Sequence, residues 1–141
     1  MTPASAKEQV EKLMNELMPF AEKMIREHGE FYPFGALTNR NGKTEMVAQS
    51  EGDRPEPWEV LDALTVALRK AARNGQCTAT CRVVHVALEN PEKRERMDAV
   101  QFLLDHAEGY SVEVFAPYRK EDQKLKFEAP FIQPGAAYIF S

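Results

Sequence analysis

The chain has 141 residues, 43% of them apolar and 28% charged, with a net charge of −4. That length fits one domain, 1–141, with enough burial to fold without a disulfide or a metal. The acidic balance argues against a general nucleic-acid binder, no apolar run approaches the roughly 20 residues of a membrane helix, and two cysteines are too few for a disulfide framework.

The opening "MTPASAKEQVEK" has no basic region leading into an apolar core, so no secretory signal is expected and the cytoplasm is the expected location. A helix follows. Ser5 can cap it and Glu8, three residues on, completes a capping box. Val10, Leu13, Met14, Leu17, Met18, Ala21, Met24 and Ile25 form one stripe at steps of three and four, and Gly29 supplies a left-handed stop. Pro19 lies inside this pattern and predicts a kink or a break. The methionines of the stripe suit packing on a sheet better than a separate binding face.

Phe31 to Thr38 reads as a strand, reversed by Asn41-Gly42 into a second strand over "KTEMVAQ". Pro33 cannot donate to a ladder, so the first strand is expected at an edge or with a bulge, and Gly35 points the same way. A polar loop, "SEGDRPEPWE", leads to a helix over about Pro57 to Asn74 with Leu61, Leu64, Leu68, Ala71 and Ala72 inward. "TATCRVVHVAL" predicts a strand over Thr78–Leu88, and "ENPEKRER" a charged loop or turn. "YSVEVFAPY" alternates as a strand, and so does "LKFEAPFI", with Leu125, Phe127, Ala129 and Phe131 on one side. The closing Tyr138, Ile139 and Phe140 are expected to dock on the body.

Residues 91–107 are ambiguous. Met97, Val100, Leu103, Leu104 and Ala107 share a helical face, while Val100, Phe102, Leu104 and His106 share a strand face. Pattern alone slightly favours the helix. "EHGEFYPFGAL", "MDAVQFLLDHAEGYSVEVFAPYRK" and the closing "YIF" together resemble a set of small bacterial proteins of unknown function. In those proteins the ambiguous segment alternates valine with arginine. The resemblance therefore implies a strand over Asp98–His106, paired with Tyr110–Tyr118. It brings no activity with it. The resulting fold class is α+β, two helices on a mainly antiparallel sheet of five or six strands in the order αββαβββ(β). That order is loosely similar to the profilin and roadblock folds, an analogy that carries no function.

Several residue sets invite chemistry. Cys77, Cys81 and His85 have a metal-like spacing, but four residues of strand span about 13 Å, too far for one zinc, so no metal and no cofactor are expected. A disulfide between the cysteines meets the same distance problem. Asp105 and His106 are neighbours on a strand and point to opposite faces. His28, beside Glu27, suits the C-terminal end of a helix dipole. No G-x-S-x-G elbow or glycine-rich phosphate loop is present. "PYRKEDQKLK" reads as a solvated hairpin with edge-protecting lysines.

Phe31, Tyr32, Phe34, Tyr118 and Arg119 form the most suggestive set, since aromatic residues and arginine anchor interfaces. On a regular strand Phe31 and Phe34 would face opposite ways, one to the core and one outward. The reading that follows is a non-catalytic protein-binding or adaptor module, with a protein partner or a homodimer as its target. A bacterial toxin-immunity protein is one form of it. The alternative is a small enzyme whose site assembles from His85, His106, Cys81 and Tyr118.

Overall fold

The computed structural model describes residues 5–47, 55–90 and 95–140. The elements run α1 (Ala6–His28), β1 (Phe34–Asn39), β2 (Thr44–Val47), α2 (Pro57–Arg73), β3 (Cys77–Asn90), β4 (Glu95–His106), β5 (Ser111–Glu121), β6 (Lys124–Phe127) and β7 (Phe131–Pro134). They build one seven-stranded sheet in the order β2-β1-β3-β4-β5-β6, with β7 also on β5, and every pairing is antiparallel. This is the α+β class expected from the sequence.

Local chemistry sets the first helix. The Ser5 hydroxyl accepts from the Glu8 N–H at 3.1 Å, and Gly29, at φ +81°, closes the other end with its N–H on the Ile25 carbonyl at 2.8 Å. Val10, Leu13, Leu17, Ala21 and Ile25 are buried, as their spacing demands. Pro19 does not break the helix. It lies on the exposed side, where one missing backbone donor leaves the buried stripe intact.

The two helices pack on opposite faces of the sheet. α1 covers Ala36, Cys81, Val83, Val100, Phe102, Leu104, Val114 and Tyr118 in one apolar cluster. On the other face Leu64 and Leu68 of α2 meet Leu37, Cys77 and Ile139. The C-terminal residues dock as expected: Ile139 is buried, Phe140 packs beside it, and the Arg69 guanidinium sits 4.0 Å over the half-exposed Tyr138 ring. Val60, outside the expected stripe of α2, is also buried.

The α2 face carries a buried ionic cluster. Arg82 donates to Asp105 Oδ2 at 3.4 Å and to Thr65 Oγ1 at 3.1 Å. Thr65 donates in turn to the Leu61 carbonyl at 2.8 Å. Ser111 donates to Asp105 Oδ1 at 2.8 Å and accepts from the Ala137 N–H at 3.0 Å. The cluster thus joins α2, β3, β4, β5 and the C-terminal segment.

Three expectations need correction. Of the edge or bulge expected for β1, the edge is absent, while the register with β3 does shift at Thr38/Asn39, away from Pro33. The strand begins at Phe34, beyond Pro33, and lies between β2 and β3. Proline falls outside the ladder, so its missing donor costs nothing there. Gly35 answers to close packing instead: a Cβ would lie 2.6 Å from the Cys81 carbonyl oxygen. The turn after β1 has three residues, Arg40 to Gly42, and only Gly42 among them takes positive φ. The Asn39 side chain closes it, accepting from Asn41 and Lys43. "LKFEAPFI" is two strands. Tyr118 faces Phe127 and Phe115 faces Phe131, so the second chain uses four steps where β5 uses three. The extra residue is a bulge, and it sends Phe131 to the face opposite Phe127. The strand expected over Asp98–His106 is present: residues 95–106 are strand, with Asp98–Asp105 paired to Ser111–Tyr118. The helical alternative for 91–107 is thereby excluded over that range, while 91–94 lie outside the described residues. The same holds for 48–54, which include the end of the expected second strand and much of the loop after it.

Removing one partner of a buried ion pair leaves the other charge unpaired, which costs about 3–5 kcal/mol. The Arg82 and Asp105 side chains are only 10% and 4% exposed. Asp105→Ala is therefore expected to lower the unfolding free energy by about that amount in urea titration. A loss below about 1 kcal/mol, the scale of an exposed pair, would contradict the role assigned to the cluster.

Candidate functional site: an aromatic groove beside the last turn of the first helix

Gly29 turns the chain out of α1, and Glu30 to Pro33 cross toward the sheet before β1 begins at Phe34. Because Phe31 precedes the strand, period-two alternation does not govern it. Its ring swings back to meet Phe34 edge-on at 5.5 Å, where a regular strand would have separated them. From there a line of rings crosses the α1 face of the sheet. Phe31 meets His85 at 5.6 Å, His85 meets Tyr118 at 6.0 Å, and Tyr118 meets Phe127 at 5.6 Å. Edge-on and tilted pairs at these separations suit the ring quadrupoles.

A groove of about 970 Å³ opens at the Phe34–Phe31–His85 end of this line. Phe31, Phe34 and His85 form its floor with Met24, while Phe20, Tyr32 and Met46 stand on its rim, each about half exposed at 51–52%. Glu30, Glu56 and His28 supply its polar side chains. Among the described residues that line it there is no lysine or arginine.

His85 Nε2 lies 2.6 Å from the Tyr118 hydroxyl. Burial pushes the Tyr118 phenol up to about 12, and the carboxylates of Asp98 and Glu30 add to the shift. The phenol is therefore protonated at neutral pH and can donate to an imidazole nitrogen. With that polarity a neutral His85 ring carries its proton on Nδ1.

The remaining candidates lie elsewhere. Arg119 neighbours Tyr118 on the strand and so turns to the other face, where it pairs with Glu128 at 2.8 Å and Glu95 at 3.7 Å. The five residues grouped from the sequence thus divide: Phe31, Phe34 and Tyr118 join one line of rings, Tyr32 stands on the rim, and Arg119 does not reach the groove. Cys81 is completely buried, and burial pushes its thiol up, away from the thiolate a nucleophile or metal ligand needs. Cys77 sits in the α2 cluster and Cys81 in the α1 cluster, because the register shifts at Thr38/Asn39 opposite Ala79 and Cys77. The two sulfurs lie on opposite faces of the sheet. His106 is at the far end of the sheet from the groove. Its Nδ1 accepts from the Glu108 N–H at 3.0 Å, which makes Nε2 the donor to Gln9 Oε1 at 2.8 Å. Asp105 does point to the opposite face, as expected, into the Arg82 cluster.

Arg82 was not singled out by sequence pattern. An arginine between Cys81 and Val83, inside a run rich in β-branched residues, is the signal that could have found it, since a central strand admits a charge only with a buried partner. The partner, Asp105, lies 23 positions away, beyond any local pattern.

The chain matches no protein-family model, no curated protein and no solved structure.

Two titrations check this geometry. The ultraviolet phenolate signal should keep a component that ionises near 12 and that disappears in Tyr118→Phe. A raised native value means that its contribution to stability is present below about 10 and is lost as pH climbs through 12. On the acid side, burial holds His106 below its ordinary value, with Glu108 opposing. Its contribution is present above about 6.5 and is lost as pH falls through the lowered native value. The melting temperature of the wild type should therefore fall on acidification below about 6.5, and His106→Asn should flatten that limb. An unchanged acid limb in the variant would overturn the assignment.

Proposed function

We propose that the protein is a binding or adaptor module that acts through the aromatic groove, without catalysis. The observation that carries this reading is the half-exposed apolar rim of Phe20, Tyr32 and Met46 around a floor of interlocked rings. Contiguous apolar surface of this kind marks interaction sites on proteins, whereas isolated exposed side chains do not. The lining carboxylates, Glu30 and Glu56, favour a partner segment that brings an apolar anchor together with basic side chains. Toxin neutralisation in bacteria is one form of such binding, since a small acidic chain suits a basic target. A cytoplasmic setting fits two free, buried cysteines.

The alternative, a small enzyme, is favoured by one observation, the 2.6 Å contact between His85 and Tyr118 at the groove wall. It concerns the same cavity, and one set of variants separates the two readings. Tyr32→Glu places a charge on the rim without touching that contact. If the groove binds a protein, Tyr32→Glu should abolish recovery of a partner identified by mass spectrometry from the native cell, with the melting temperature within about 2 °C of wild type, as for a surface change. Tyr118→Phe should leave recovery intact. Partner recovery that survives Tyr32→Glu would sink the reading.

A further inference from the structure

β3 is longer than the strand beside it. It pairs with β4 from Ala79 to Asn90, but with β1 only from Cys77 to Val83. In an antiparallel ladder the backbone groups of successive residues address alternate neighbours. The Ala107 N–H donates to the Thr78 carbonyl at 2.9 Å, so the even-numbered residues of β3 address β4 and the odd-numbered ones address β1. Past Val83 the odd-numbered residues are His85, Ala87 and Glu89. Among the described residues no backbone hydrogen bond reaches them from the β1 side. Among the described residues, each therefore presents an N–H and a carbonyl outward.

Among the described residues, other margins of this sheet are short or carry lysine or proline, and this one does not. β6 is four residues long and carries Lys124 and Lys126, β7 is four residues long and ends in Pro134, and β2 is four residues long. Lysine, proline and short length all discourage strand addition. From Val84 to Asn90 the sequence is "VHVALEN", with no lysine and no proline.

We propose that this margin pairs with the same margin of a second copy of the chain, antiparallel across a two-fold axis through Ala87. The register follows from parity. Two copies can meet only with odd-numbered residues opposite odd-numbered ones. The register centred on Ala87 is the one that engages all three residues with outward groups: Ala87 faces Ala87 of the second copy, and His85 faces its Glu89. Each such pair exchanges two hydrogen bonds. The side chains agree with this register. Imidazole meets carboxylate, Val86 meets Leu88 of the second copy, and small alanines meet at the axis. A surface that matches itself under a two-fold rotation is what an isologous dimer requires.

The dimer goes beyond the groove reading and also touches it. Val84 and His85 line the groove, so Glu89 of the second copy would add a third carboxylate to its wall. The dimer is tested without reference to any groove ligand, so the two readings fail separately.

Sedimentation equilibrium and crosslinking decide the matter. The wild type should be a dimer at high micromolar concentration. Ala87→Pro removes one outward N–H and leaves the β4 ladder untouched, so a folded monomer is expected. Register is read independently. Val86→Cys chains mixed with Leu88→Cys chains should form an intermolecular disulfide, because facing residues of this type have Cα atoms about 4.5 Å apart. Neither variant should do so alone, since identical positions would lie more than about 7 Å apart. A wild type that stays monomeric overturns the proposal. So does a dimer that persists in Ala87→Pro, or a disulfide that forms in a single variant and not in the mixture. Should Ala87→Pro fail to fold, the cysteine pair still gives the answer.

Discussion

The contact between Arg82 and Asp105 is the interaction on which the rest of the structure depends. It joins the two longest paired strands near one end of their ladder, where Thr80 faces Asp105, on the face that α2 covers. Its energetic role is asymmetric. Bringing two charges out of water costs several kcal/mol per ion, and their attraction offsets that cost only with good geometry and further hydrogen bonds. The further bonds are present: Thr65 from α2, and Ser111 from β5, itself held by the Ala137 amide. Arg82 Nε and Thr80 Oγ1 have no partner among the described residues, so the cluster is not completely satisfied. A pair of this kind adds little net stability but makes any other packing of α2, β5 and the C-terminal segment costly, because displacement would strand a charge.

The division of chemistry between the two faces follows from this. β3 places Ala79, Cys81 and Val83 under α1 and Thr80 and Arg82 under α2. The α1 face can then be wholly apolar through its centre and end in a line of rings. His85 and Tyr118 belong to that face, where they make a polar contact with each other at the margin of the core. The groove exists because the strands differ in length. β3 continues past the start of β1, and α1 ends at Gly29 above the step. Phe31 fills part of the step, and Phe20, Tyr32 and Met46 border what remains.

The same step accounts for the free margin of β3. A strand that outruns its neighbour exposes backbone groups on one side only, so the exposed donors and acceptors belong to alternate residues. Nothing in "VHVALEN" read alone distinguishes this stretch from the centre of a sheet. Its β-branched residues mark a strand, but the strand's outer side is set by where β1 begins.

Local signals were legible wherever the chemistry was local. Ser5, Gly29, Pro57 and the stripes of α1 and α2 determined the helices, because caps and 3.6-residue periodicity act within a few turns. Alternation, together with the glycine turn at Gly109, pairs β4 with β5 only where the segment is taken as the strand that the resemblance implies, since pattern alone slightly favours a helix. Tertiary structure decided what depends on distant partners. It placed β1 inside the sheet, joined Arg82 to Asp105, put Cys77 and Cys81 on opposite faces, and turned Phe31 toward His85. Each of these turns on a register shift, a bulge or a strand end. A single-residue change of that kind sends every later side chain to the other face, and it leaves no mark in the periodicity of the sequence.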